Sequence, residues 1–421
     1  MKFDDSTLYN IKSNLCGKRY SLYELATWKN GLAFRKTDFS DSGRPIIKIA
    51  ELNNGVNSNT SYTNGNFGDE VSLHWDDILF SWSGNPQTSI DVFRYRLKDG
   101  WLNQHIFKVT PKKDLVSKDY FYYVLKFLKP VFTKIASNKQ TTGLGHVTIT
   151  DLKRLNLIIP EIKLQNKIAC ILKTIDDKIE INKEINKNLE MQAQALFQEW
   201  FIFNPDSAYW NTGTFSDIIE SIIAGDWGKE SLQGNYTQAV YCIRGADIPE
   251  VKMGNKGKMP TRYILPKNYK TKHLTDGDVI VEISGGSPTQ STGRIAAVSQ
   301  SLLDRYNKDM VCTNFCKALK PKKGYSMFLY YYWQYLYNKN FFFSYENGTT
   351  GIKNLDITGF IENEPIVLPP STLIKKFDDI CHNIFAETFA NGLESEQLTS
   401  IRNSLLPQLM SGEIDVSNID F

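Results

Sequence analysis

Along the first 158 residues, apolar positions come in short runs of β-branched and aromatic residues separated by Gly, Asn and Asp. Examples are RPIIKIA (44–50) and DDILFSW (76–82), with VIVEIS (279–284) as a later counterpart. Such runs predict strands bounded by turns. Two denser aromatic stretches, YFYYVLKFLK (120–129) and MFLYYYWQYLYN (327–338), predict one core helix in each half for a sheet to pack on.

After Pro160 the pattern changes. Ile168, Leu172, Ile175, Ile179, Asn182, Asn186, Leu189, Ala193 and Leu196 follow a 4,3 spacing, with Lys, Glu, Asn and Gln between them. This is the seam of a coiled-coil helix from about Leu164 to Phe201, roughly 55 Å long at 1.5 Å per residue. Two Asn in the seam make it weak alone, so it needs a partner. Phe377, Cys381, Ile384, Thr388, Asn391, Ser395, Leu398, Arg402 and Leu405 repeat the spacing, with Asn391 at the level of Asn182. Buried Asn facing Asn penalises slipped pairings and sets a register. An intervening globular half lets the two helices lie antiparallel. The second seam is the poorer one, with Thr388, Ser395 and Arg402 where apolar residues are expected.

The helices belong to a larger repeat. Ile47–Leu52 (IKIAEL) returns as Ile243–Ile248 (IRGADI), and Asp77–Gly84 (DILFSWSG) as Asp278–Gly285 (DVIVEISG). HIFKVTPK (105–112) returns as FCKALKPK (315–322), QTTGL (140–144) as GTTGI (348–352), and LIIPEIKLQNKI (157–168) as IVLPPSTLIKKF (366–377). The offsets of 196, 201, 210, 208 and 209 drift through the loops and then hold steady. The chain is one unit written twice, with variable loops and a fixed helical part.

Composition narrows the function by exclusion. A net charge of +3 names no partner, so the location of charge must carry that argument. No apolar run spans a membrane, and the acidic start MKFDDSTLYN is no signal peptide, so a cytoplasmic protein is expected. Cys312 and Cys316 lack a second Cys/His pair and read as buried free thiols. Asn85-Pro86-Gln87 and Asn204-Pro205-Asp206 are not the Asp/Asn-Pro-Pro-aromatic motif of a DNA-modifying enzyme. There is no G-x-G-x-x-G, Walker or H-E-x-x-H motif. Glu161-Ile162-Lys163 and Glu250-Val251-Lys252 lack the preceding Asp of a nuclease centre. No catalytic residue and no metal site are expected.

Binding chemistry is more visible. Lys252, Lys256, Lys258, Arg262, Lys267, Lys270 and Lys272 follow one another with no acid between them, as a phosphate-tracking strip would. A smaller basic group is Lys129, Lys134, Lys139, Lys153 and Arg154. Arg44, Lys48 and Arg244 lie on the matched strands. Base readout needs paired donors and acceptors presented from loops. The loops after the matched strands offer Ser83, Asn85, Gln87 and Thr88, then Ser284, Ser287, Thr289, Gln290, Ser291 and Arg294. Lys139, Gln140, Thr141, Thr142, Thr349, Thr350 and Lys353 recur in both copies, which suits phosphate positioning or a structural turn better than readout of unlike bases.

These pieces together resemble the specificity subunit of type I restriction–modification systems. The resemblance rests on I-x-I-A-E-L and I-R-G-A-D-I read as strands, D-I-L-F-S and D-V-I-V-E, the T-T-G turns, and L-x-x-Q-x-x-I-A-x-I-L entering the central helix. The ending LLPQLMSGEI (405–414) is especially specific, and nearly the whole chain is covered. It implies an α+β protein with two β-rich target-recognition domains separated by two long helices in an antiparallel coiled coil. The expected boundaries are 1–158, a central helix at 159–203, a second recognition domain at 204–367, and a distal helix with tail at 368–421. Each recognition domain would read half of a bipartite site in double-stranded DNA. The helices would set the spacer and dock two methyltransferase subunits. Helix pairing falls to Ile168, Leu172, Ile175, Ile179, Asn182, Leu189 and Leu196 against Phe377, Ile384, Asn391, Leu398 and Leu405. The chain itself would be non-catalytic and hold no cofactor. S-adenosylmethionine would belong to the methyltransferase subunits, and ATP and Mg to restriction subunits. The alternative is a coiled-coil scaffold without sequence-specific DNA binding.

Overall fold

The computed structural model describes residues 9, 11, 13–140, 143–287, 289–348 and 352–419. The chain divides into two compact units, Met1–Asp177 with Thr399–Phe421, and Lys178–Leu398.

In the first unit four antiparallel strands pair in the order Ala26–Asn30, Ile106–Pro111, Ile78–Ser81 and Asp91–Arg94. A second sheet orders Tyr62–Thr63, Arg44–Ile47, Gly100–Leu102 and Ser72–Leu73, with Arg44–Ile47 parallel to Gly100–Leu102. Ile78–Ser81 is buried on both faces. Ile78 and Phe80 enter the core around Phe121 and Phe132, while Leu79 enters a smaller one with Ile47 and Trp101. Alternation between two cores is why this strand reads as an unbroken apolar run.

The second unit repeats the plan. Ile219–Ala224, Cys316–Pro321, Val279–Glu282 and Ile295–Ala297 form the four-stranded sheet. Thr261–Ile264, Gln238–Ile243 and Met310–Cys312 form the other, again with one parallel pair. Val279 and Val281 enter the core around Trp333, and Ile280 enters the one around Met310 and Phe389. Each unit is closed by a matching ladder: Lys18–Ser21 with Asn156–Ile159, and Asn211–Thr214 with Pro365–Leu368. Gly31 and Gly225 occupy equivalent crossings. A Cβ there would lie 2.1 Å from the Asn103 carbonyl oxygen and 1.9 Å from that of Thr313.

Two expectations need correction. The matched Ile-x-Ile-Ala-Glu-Leu and Ile-Arg-Gly-Ala-Asp-Ile segments are only strand at their start. The first becomes the helix Ile49–Asn54, and the second a 3-10 turn, Gly245–Asp247, leading into Ile248–Lys252. The cause is the acid at the third position: Glu51 accepts the Lys48 amide at 3.0 Å and Asp247 accepts that of Arg244 at 3.0 Å, which starts a helix. The aromatic stretches do form core helices, Lys118–Phe127 and Ser326–Asn338. They are not alone, because Pro130 lets a second helix, Lys129–Asn138, start directly behind the first.

The long helices are Ile162–Phe197, continued by a π turn over Gln198–Ile202, and Ser371–Ser411. Ile168, Leu172, Ile179, Asn182, Asn186, Ala193, Phe377, Cys381, Thr388 and Asn391 are buried, while Ile175, Leu189, Leu196, Ile384, Leu398 and Leu405 are half-buried. In the first unit Ile168 and Leu172 share a core with Leu405 and Leu409, and Arg402 donates to Asp176 at 2.7 Å. In the second, Asn182 reaches the Asn391 carbonyl and Asn186 that of Thr388, while Ala193 and Phe197 pack with Phe377 and Cys381. In each unit numbers rise on one helix as they fall on the other, so the pairing is antiparallel. The polar second seam is explained at two positions, since the Ser395 and Arg402 side chains hold partners on the first helix, whereas Thr388 is engaged there through its backbone carbonyl.

Candidate nucleic-acid interface

Each unit gathers its polar loop residues around one short ladder. In the first, Ser83–Gly84 pairs with Gly145–His146, so the turn after Ser83 and the segment after Asn138 flank the same two strands. Asn85 clips its own turn, accepting the amides of Gln87 at 2.9 Å and Thr88 at 3.3 Å. That leaves the exposed Gln87 and Thr88 side chains at the tip. Gln140 is also exposed. Lys139 is committed to buried Asp151, donating to both oxygens at 2.6 Å. Burial opposes ionisation of Asp151, but hydrogen bonds from Lys139, Thr148 and Tyr9 outweigh it and hold the carboxyl below its usual range. Thr141 and Thr142 lie outside the described residues.

The second unit builds the same place from other residues. Ser284–Gly285 pairs with Lys353–Leu355, which also pairs with Glu346–Asn347. Ser287 clips the turn by accepting the Gln290 amide at 3.0 Å, leaving Thr289 and Gln290 exposed. Ser284 bonds Asn354, and Ser291 is buried. Arg294 spends its fork on buried Glu282, at 2.7 and 2.6 Å. Lys353 donates to Glu346 at 2.7 Å, and Glu346 also takes the Thr292 amide and hydroxyl. Thr349 and Thr350 lie outside the described residues.

The other candidates belong to the second sheet of each unit rather than to these ladders. Arg44 lies 5.3 Å over Trp101 and donates to Ser72, and Lys48 reaches Ser61. Arg244 is locked to Asp247 at 2.9 and 3.0 Å. The basic strip divides. Lys252 turns inward to Gln334 and lies over Tyr330, where burial pushes its ammonium pKa down against the pull of Glu190. Arg262 is buried 4.1 Å over Trp227. Lys258, Lys267 and Lys270 are exposed, and Lys256 stands over Tyr306 at 4.9 Å. In the smaller group Lys129 pairs with Asp91, and Lys153 and Arg154 stack on Tyr23 and Tyr9.

Sequence reasoning missed apolar residues at the same ladders. Leu144 is 57% exposed and Ile352 is 64% exposed, at equivalent positions after the T-T-G sequence motifs. Phe315, 58% exposed, holds the amides of Ile283 and Ser284 on its carbonyl; His105 does the same for Trp82. Large apolar residues in both copies of a polar motif were the available signal. Among the described residues no group of His, Cys, Asp and Glu could hold a metal ion, and no helix is long and apolar enough to cross a membrane.

This arrangement of twinned β-rich units and paired long helices is one already known. Residues 18–191 match the family described as the type I restriction modification DNA specificity domain. Over about three quarters of its length the chain is similar to type I restriction enzyme specificity subunits. It is 27% identical over 349 residues to the MjaIX specificity subunit of Methanocaldococcus jannaschii, covering 75% of this chain and 73% of that one. It is 24% identical over 390 residues to the HindI specificity subunit of Haemophilus influenzae, covering 76% and 84%. In fold it is similar to the crystal structure of the type I restriction–modification S subunit from M. genitalium, with a TM-score of 0.52 at 16% identity over 96% of this chain and 98% of that one.

Proposed function

We propose that this chain is the non-catalytic specificity subunit of a type I restriction–modification complex, each unit reading one half of a bipartite DNA site. The observation that carries the reading is the repeated ladder: the same strand pairing presents Gln87 and Thr88 in one unit and Thr289 and Gln290 in the other. One scaffold that presents an amide and a hydroxyl side chain in reversed order is suited to two different half-sites. The committed cations Lys139, Arg294 and Lys353 shape these loops, while exposed Lys258, Lys267 and Lys270 contact phosphates. Leu144, Ile352 and Phe315 give the ladders an apolar edge for thymine methyl groups or sugars. The helix pair sets the spacer. Ile181, Ile185 and Met191 are exposed on its first helix and offer a face to two methyltransferase subunits, which bring S-adenosylmethionine. Restriction subunits would bring ATP and Mg. The units correspond to recognition domains near 1–158 and 204–367, joined by helical segments near 159–203 and 368–421, in the cytoplasm.

The test is adenine-methylation mapping by long-read sequencing in cells with and without this gene. One split motif with a fixed gap should vanish on deletion. Gln87→Ala and Gln290→Ala should each relax a different half of it, by about tenfold or more. An unchanged methylome in cells expressing the partner methyltransferase would overturn the reading.

A further inference from the structure

Between Val251 and Gly257 the second unit sends a short loop against both long helices at once. Val251 is buried in the core that contains Phe389 of the second helix. Two residues on, the Met253 carbonyl accepts from Asn186 of the first helix at 3.0 Å, and the same amide nitrogen donates to the Thr388 carbonyl at 2.9 Å. Asn391 closes the ring by donating to Asn186 Oδ1 at 3.0 Å. The backbones touch: a Cβ on Gly254 would stand 2.1 Å from the Thr388 oxygen, and one on Gly392 would stand 1.9 Å from the Gly254 oxygen. From outside, Arg305 clamps the loop, donating to the Gly254 carbonyl and pairing with Glu396.

The first unit has a matching loop without this function. Gly55 follows the helix Ile49–Asn54 as Gly254 follows Ile248–Lys252, and both adopt φ +76°. A Cβ on Gly55 would meet nothing within 4 Å. The turn is therefore part of the shared plan, whereas its engagement with the helices belongs to the second unit. The contacts are backbone-close and buried, so they tolerate neither rotation of the recognition sheets about the helix pair nor sliding of one helix along the other by a turn.

We propose that the Asn186–Gly254–Gly392 junction, clamped by Arg305, is a positioning device that fixes the phase of the second recognition unit on the helix pair and so restricts the DNA spacer this protein accepts. The inference rests on the proposed reading of a bipartite site. Asn186 and Arg305 contact no DNA in this scheme; they act through the loop they hold.

The test uses the full chain co-expressed with its methyltransferase partner, with methylation scored at sites whose half-sites are intact but whose gap is one base pair shorter or longer. Asn186→Leu keeps the seam filled but removes the polar anchor, and Arg305→Met releases the loop without touching the seam. In either variant, methylation at off-length sites relative to the native gap should rise about fivefold or more, with both half-site sequences unchanged. A thermal melt of the purified complex reports whether each variant folds. A uniform loss across all gaps, or an unchanged gap distribution in a folded variant, would overturn the proposal. Absence of any split motif from the unmutated protein would instead remove the reading beneath it.

Discussion

The two units solve one folding problem with different interiors. Both place a fully buried strand between two cores, but the residue that ends it differs: Ser81 in the first, Glu282 in the second. Both cover the larger core with an aromatic helix, in which Leu125 of the first unit and Trp333 of the second are fully buried. Trp333 stacks on Phe342 at 4.8 Å and donates to the Gly293 carbonyl at 2.9 Å, beside the loop that presents Gln290. In the second unit the core therefore reaches the loop at Gln290 through defined polar contacts. The lesson is that strand order carries the plan while the loops are specified by whichever side chains anchor them.

The largest effects should come from emptying each core beneath its aromatic helix. Trp333→Ala should cost about 3–5 kcal/mol and Leu125→Ala about 2–5 kcal/mol, each read by urea denaturation. Hydrogen exchange should localise the loss to the unit that carries the change. Loss of protection spread evenly over both units would show that they do not keep separate cores.

Next in size is the glycine pair. Ala at Gly55 meets only the cost of a positive φ, about 1–2 kcal/mol. Ala at Gly254 adds the clash with the Thr388 oxygen and should cost about 2–4 kcal/mol. Equal costs, measured by the same denaturation, would remove the distinction drawn between the two turns.

A third exchange imports one unit's residue into the other. Glu282→Ser leaves Arg294 without its fork partner, and the change should destabilise by about 2 kcal/mol because Arg294 keeps some access to solvent. Adding Arg294→Met should restore most of that loss while leaving the loop near Gln290 less ordered. If the double variant is no more stable than the single one, the unpaired guanidinium is not the cause.

Much of this was legible in the sequence, for stated reasons. An unbroken apolar run through Ile78–Phe80 and a 4,3 seam through Ile168–Leu196 are patterns that burial imposes directly, and each returns about 200 residues later. The partners of the polar seam were not legible. That Arg402 meets Asp176, or that Asn186 meets a loop at Met253, depends on chain segments far apart in sequence. The same holds for the candidate interface. Lys139, Arg244 and Arg294 have the composition of nucleic-acid contacts, but a carboxylate with a matching position in the fold claims each of them. Charge counts along a chain do not show which charges are already paired.

The smallest effect concerns one of those claims and has a sign set by acid. The Asp151 carboxyl is held below its usual range, so the folded state releases that proton at lower pH than the unfolded chain does, where the value is about 3.9. Its contribution is fully present above that unfolded value and is lost as pH falls through the depressed folded one. Lys139→Met should lower stability by about 1 kcal/mol at neutral pH, the lysine being partly solvated. The gap from the unmutated protein, followed by urea denaturation from pH 7 downward, should stay level to about pH 4 and close below it. A gap that persists to the lowest pH would mean that Lys139 acts through its aliphatic stem rather than its charge. The first unit's loop would then be anchored by packing, which would widen the contrast with Arg294 in the second.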